Sequence, residues 1–441
     1  MRLRFTDITT FVKSAARKNG ASAFVDQGII SGFNFLTFIL LARWMETSAF
    51  GVYVLAFSAL MFVQTIQHAL VTRAHNVLGV RLSGAAFHRF SRSVVVMTAA
   101  VALLSMLVAG GFALGFYALD LSQWTTPTIG IGIALFPWLI QDAIRRMLYT
   151  SHRVGAAAVN DFLSYGLQAA IVGFLFFRGE AGSVLTVFIA LGASSLIASL
   201  YGLFQLRALF KGWALSFNAF REDLATVWQY GKWLSTGEFV GWLGQNGHTW
   251  LIGGLLGAPL VAGYRAATYV TNLLNPFDLA VSNYLPVRAS RILHEDGKRA
   301  MLTWLSKQAL ILALPYAVIA AGISLASFRL LDLFYDARYA TGLLALVLSI
   351  TVWGRFLGFI FGFARIGLMA TERTFPILIS QILSLVIFAS VSTVMISWLG
   401  IVGAPLARIV LHVVVGFYLT NALLGEKRQT KTTTSASPVS S

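Results

Sequence analysis

Three arginines, Arg265, Arg355 and Arg408, stand inside stretches that are otherwise apolar. A guanidinium stays charged and presents a planar fork of donors that matches the oxygens of a phosphate or carboxylate. In hydrocarbon such a group is costly, so it faces a polar cavity, a bound anion or a carboxylate on a neighbouring helix. The same stretches hold five acids: Asp26, Asp142, Asp161, Glu238 and Asp278. All five lie in the third nearest one membrane face, whereas Arg265 and Arg408 lie in the opposite third. Arg355 is nearer the middle, within reach of Glu238 or Asp278. Asp142 precedes Arg145 and Arg146 at helical ion-pair spacing, and Asp161 is placed to complement a helix dipole.

Polar residues recur around the first of these arginines. Arg265, Tyr269, Asn272, Pro276 and Asn283 fall at helical spacing and form one stripe. Pro276 removes a backbone hydrogen bond, so a kink is expected there, in surroundings polar enough to satisfy the freed carbonyl. Glu238, Gln245 and Thr249 form a second stripe, flanked by Asn246 and His248. Gln27, Ser31 and Asn34 form a third, and Tyr53, Gln64 and His68 a fourth. Interhelical hydrogen bonding accounts for single polar residues of this kind. A five-residue stripe with an arginine points instead to a cavity.

Elements long enough to position these stripes follow from composition. Hydrophobic residues make up 57% and charged residues 11% of the 441 positions, too apolar for a water-soluble domain. The second solvent is a bilayer, whose crossing takes roughly 20 apolar residues per helix. Stretches of that length lie at 22–43, 49–72, 94–117, 127–148, 156–177, 183–206, 233–256, 260–285, 302–327, 341–364, 374–398 and 402–424, an all-α integral membrane protein of twelve spans. With both termini in the cytosol, the outward loops keep only Arg43, Arg178, Arg329 and Arg338. Every long basic loop falls inside, as the positive-inside rule requires. The net charge of +16 is thus spread between spans, which suits anionic lipid headgroups and not nucleic acid.

The expected organisation is a basic cytosolic arm (1–21), not a cleaved signal, a six-helix half (22–206), a cytosolic linker (207–232), a second half (233–424) and a polar, disordered tail (425–441). A weak repeat relates the halves: Phe50-Gly51-Val52-Tyr53 and Val261-Ala262-Gly263-Tyr264 each open a second helix, and both helices end in Arg-Ala (Arg73-Ala74, Arg288-Ala289). Two halves of like orientation suit a pathway between rocking bundles. The chain has no cysteine, no phosphate-binding Gly-Lys-Ser/Thr loop and no metal-ligand spacing among its histidines, so no cofactor or metal is expected.

Taken together, Asp26-Gln27-Gly28, Leu41-Ala42-Arg43, Phe50-Gly51-Val52-Tyr53, Tyr230-Gly231-Lys232-Trp233, Ala262-Gly263-Tyr264-Arg265 and Asn275-Pro276 resemble the polysaccharide-export branch of the multidrug/oligosaccharidyl-lipid/polysaccharide (MOP) exporter superfamily, which includes O-antigen and exopolysaccharide repeat-unit flippases. The resemblance implies a V-shaped, two-lobed fold. It implies translocation of an undecaprenyl-pyrophosphate-linked oligosaccharide across a bacterial inner membrane, with polysaccharide polymerase and glycosyltransferases as partners, and no enzymatic step. Its substrate needs cations in place of water around a pyrophosphate. Candidate cavity residues are therefore Arg265, Arg408, Arg355, Tyr269, Asn272, Glu238, Gln245, His248, Gln27, Asn34 and Gln64. Drug exporters of the superfamily couple transport through an acid in the first helix, which makes Asp26 a candidate coupling residue; capping, or pairing with Arg17 or Lys18, is its other reading. A cation-coupled drug exporter is the alternative function, favoured by cavity acids. A membrane-embedded glycosyltransferase or polymerase is the third, disfavoured by short outer loops.

Overall fold

The computed structural model describes residues 19–180, 182–210 and 216–425, and only the backbone of 19–27, 280 and 283. The side chains of Asp26, Gln27 and Asn283, most of the arm and nearly all of the tail lie outside the described residues.

The described chain is helical with no strand. In order it forms α1 (Asn19–Trp44), α2 (Thr47–Arg81), α3 (Gly84–Ala118), α4 (Ser122–Thr150), α5 (Val154–Phe177), α6 (Val184–Gln205) and α7 (Phe217–Leu256). A run at Ala258–Leu325 follows, then the short α10 (Ser327–Tyr335), α11 (Gly342–Ala370) and a run at Phe375–Leu424. Eight helical runs among the described residues are long and apolar enough to cross a bilayer, which makes this a multi-pass membrane protein. Two runs, of 68 and 50 residues, far exceed one crossing and break at glycines with φ of +83° (Gly297) and +62° (Gly400). Only glycine adopts such angles without strain. The breaks yield α8 (258–296), α9 (298–325), α12 (375–399) and α13 (403–424).

Local sequence explains the bends. In α8, α-helical bonding gives way to a 3-10 turn at Thr271–Leu274, and regular helix resumes at Asn275 with Pro276 in its first turn. This is the kink expected of Pro276, since proline offers no N–H to the preceding turn. Residues 217–232, expected as part of a linker, instead form the first half of the 40-residue α7. Asp223 holds this half to α3: it is 5% exposed, accepts a hydrogen bond from Ser93 at 2.7 Å and lies 3.5 Å from Arg89.

Close backbone approach fixes how α2 meets its neighbours. A Cβ on Gly51 would stand 1.8 Å from the carbonyl oxygen of Ala258 in α8, and one on Gly231 in α7 2.4 Å from that of Leu70. Only a missing side chain lets these helices touch. Buried acids of α4 and α5 are paired. Asp142 meets Arg146 at 2.8 Å, and Asp161 meets Arg145 at 2.5 Å while accepting from Gln141 at 3.1 Å. Asp161 therefore serves an interhelical ion pair, not the helix dipole.

Candidate functional site

Two adjoining cavities lie between the helices. The first has a volume of about 360 Å³ and is lined from α7 by Gln245, Asn246 and Thr249, from α8 by Arg265, Tyr269 and Asn272, from α11 by Arg355, and from α13 by Arg408 and His412. The second, about 230 Å³, is lined from α1 by Asn34, Thr37 and Phe38, from α2 by Tyr53, Phe57 and Gln64, from α4 by Trp138, and from α5 by Tyr165 and Gln168. Asn246, Arg265 and Tyr269 border both.

The three arginines divide by their partners. Arg355 is occupied: its Nε and Nη2 donate to Asp278 at 3.1 and 2.7 Å, its Nη1 to the Thr271 carbonyl at 2.8 Å, and its Nη2 also to Asn275. It takes the carboxylate partner open to it in the sequence, and it braces the α8 kink against α11. Arg265 and Arg408 have no carboxylate partner among the described residues. The Nε of Arg265 is buried without any hydrogen bond. Arg408 makes one long contact, 3.5 Å from Nη2 to the Gln245 carbonyl. A guanidinium without an acceptor in a protein interior is expensive. Both therefore keep donor groups unfilled at the first cavity.

Two candidates point elsewhere. Glu238 pairs with Arg73 of α2 at 2.8 Å and is not among the residues lining either cavity. His248 is 1% exposed; its Nε2 lies 3.1 Å from the Ser392 hydroxyl and its ring packs edge-on against Phe388 of α12. Helical periodicity places Glu238 on the stripe of Gln245 and His248 beside it, but neighbouring helices on either side of α7 claim them. His412 was not singled out, though it stands one turn after Arg408. Trp138, Tyr165 and Gln168 were missed because the polar residues near them on α4 and α5, Asp142 and Asp161, read as ion-pair and helix-dipole groups.

Above the cavities, at the end of the molecule where α1 finishes, the halves are sealed. Tyr269 stacks on Phe38 with ring centres 3.9 Å apart, and Phe35 meets Phe334 edge-on at 5.3 Å. Beyond this layer two arginines cap each other's helices. Arg338 donates to the carbonyls of Arg43 (2.7 Å), Met45 (3.1 Å) and Ala42 (3.2 Å) at the end of α1. Arg43 donates to those of Phe334 (2.9 Å) and Leu333 at the end of α10. Helix C-termini present unpaired carbonyls and negative dipole ends, which arginine satisfies.

This arrangement has solved counterparts. A multidrug resistance MATE family transporter of the MOP superfamily, in an inward-facing conformation, matches with a TM-score of 0.72 at 14% identity, over 92% of this chain and 97% of that one. The fold is that of the MOP transporters. The lipid II flippase MurJ, inward closed, gives a TM-score of 0.67 at 11% identity, over 92% and 87% of the two chains. An outward-facing MATE family transporter gives 0.60 at 12%, over 91% and 93%. No family model and no curated protein matches the sequence.

The Arg355–Asp278 pair permits a test of its bracing role. Both side chains are about a third exposed or less, so the pair contributes on the order of 1 kcal/mol. Asp278→Asn is expected to lower the thermal unfolding midpoint in detergent by a few degrees. Arg355→Gln, which strands Asp278, should lower it further; equal midpoints for both variants and the parent would remove the brace.

Proposed function

We propose that the protein is a flippase that moves a polyprenyl-pyrophosphate-linked oligosaccharide across a bacterial inner membrane by alternating access, in the service of O-antigen, capsule or exopolysaccharide assembly. Twelve helices cross the membrane in two six-helix halves, 22–206 and 233–424, with both termini in the cytosol. The observation that carries this reading is the pair Arg265 and Arg408, both lining one cavity with no carboxylate partner among the described residues. The headgroup of such a lipid is a compact multivalent anion. It crosses hydrocarbon only where fixed donors replace its water. A cavity built to take organic cations would place acids there; none of the lining residues is acidic.

The experiment is reconstitution in liposomes with a fluorescent polyprenyl pyrophosphate carrying one N-acetylhexosamine, followed by leaflet accessibility to a membrane-impermeant quencher. Protein-dependent translocation of this lipid, without uptake of ethidium under a proton or sodium gradient, is expected. Ethidium transport with no lipid movement would overturn the reading in favour of a cation-coupled exporter.

A further inference from the structure

The cavity between α1, α2, α4 and α5 differs in kind from its basic neighbour. Apart from Arg265 at the shared border, its lining is uncharged. It combines the amides of Asn34, Gln64 and Gln168 with the rings of Tyr53, Trp138 and Tyr165. None of those three amide groups is engaged in a hydrogen bond among the described residues, although Gln168 is only 5% exposed. The indole N–H of Trp138, in a residue 3% exposed, is buried without an acceptor. Gln141, an amide that serves packing in the same half, behaves otherwise: it donates to Asn160 and Asp161, both at 3.1 Å. Buried indole N–H and amide groups normally find partners, so those left open around one cavity mark groups reserved for a ligand.

Planar amides offer a donor and an acceptor side by side, the pattern presented by vicinal hydroxyls. Aromatic faces suit the C–H face of a pyranose ring. We infer that this second cavity is a subsite for a neutral sugar, the residue attached directly to the pyrophosphate, because Arg265 and Tyr269 border both cavities. The inference rests on the flippase reading and deepens it. The anionic head is held in the C-terminal half and its first sugar in the N-terminal half, so both halves grip one substrate.

Calorimetric titration of the protein in nanodiscs tests this with two probes, farnesyl pyrophosphate and farnesyl pyrophosphate bearing one N-acetylhexosamine. The sugar is expected to tighten binding about tenfold, the equivalent of one or two net neutral hydrogen bonds. Gln168→Leu, Asn34→Leu and Trp138→Phe should each shrink that increment, with the first two bringing it below about twofold, while the sugarless probe keeps its parental affinity. Trp138→Phe retains the ring and so guards against a folding defect, and melting midpoints report on the other two. A sugar increment that is absent in the parent, or that survives all three substitutions, overturns the subsite while leaving the pyrophosphate site intact. Failure of both probes to bind the parent overturns the flippase reading and this inference with it.

Discussion

Arg265→Gln is expected to reduce lipid translocation in liposomes by about a hundredfold or more, the largest effect of any single cavity substitution. A charge-assisted hydrogen bond is worth about 1.5–3 kcal/mol, and Arg265 borders both cavities, so the loss removes contact with the anion at the point where the halves meet. Arg408→Gln should cost less, about tenfold, because Arg408 borders the basic cavity alone. Arg265→Lys keeps the charge but not the fork and should restore part of the rate. Folding is spared in these variants for a physical reason. Neither arginine neutralises a carboxylate among the described residues, so removing it strands no buried charge. The measurement is initial rate at matched protein density, with surface polysaccharide in a strain lacking the native gene as the cellular readout. Parental rates in both glutamine variants would discard the anion site.

What the sequence made legible follows from what hydrocarbon forbids. An arginine in an apolar stretch is visible because its burial is costly, and Pro276 is visible because it cannot continue a helix; both are local facts. The side from which a helix is approached is not local. Gln245, Asn246 and Thr249 face the cavity on α7, yet Glu238 and His248 on the same helix are claimed by Arg73 and Ser392. Periodicity places residues on faces but does not say which neighbour each face meets. The neutral cavity was harder still. Trp138, Tyr165 and Gln168 stand on helices where other polar residues, Gln141, Asn160 and Asp161, are spent on packing. That the Trp138 indole N–H and the Gln168 amide lack hydrogen-bond partners becomes visible only once the helices are assembled. The 217–232 segment reads as solvent-exposed from its charges, and Arg221 and Glu222 are exposed, but Asp223 among them is spent on Ser93 and Arg89.

The double substitution Arg43→Gln/Arg338→Gln is expected to open the sealed end and trap the protein away from the state described here. On the topology expected from the sequence these are two of the four arginines in outward loops, and the geometry gives both a task. Each satisfies carbonyls that the other half of the chain leaves unpaired, across 290 or more positions of sequence. The reciprocal caps are partly exposed, so each hydrogen bond is worth about 0.5–1 kcal/mol net. Five such bonds amount to about 3 kcal/mol, enough to shift a two-state population by about a hundredfold. Because the chain has no cysteine, spin labels at Leu119→Cys and Trp398→Cys, both highly exposed, report the separation of the halves at this end without interference. The parent should give a short distance and the double variant a longer one. Gly51→Val supplies an independent route to the same outcome. Its side chain would collide with the Ala258 carbonyl, where even a Cβ stands at 1.8 Å, forcing α2 from α8 without touching either arginine. If alternating access depends on breaking and remaking this seal, the two variants share the longer distance and both lose translocation. A distance distribution identical to the parent in the double variant would show that the arginines cap helices without governing the seal.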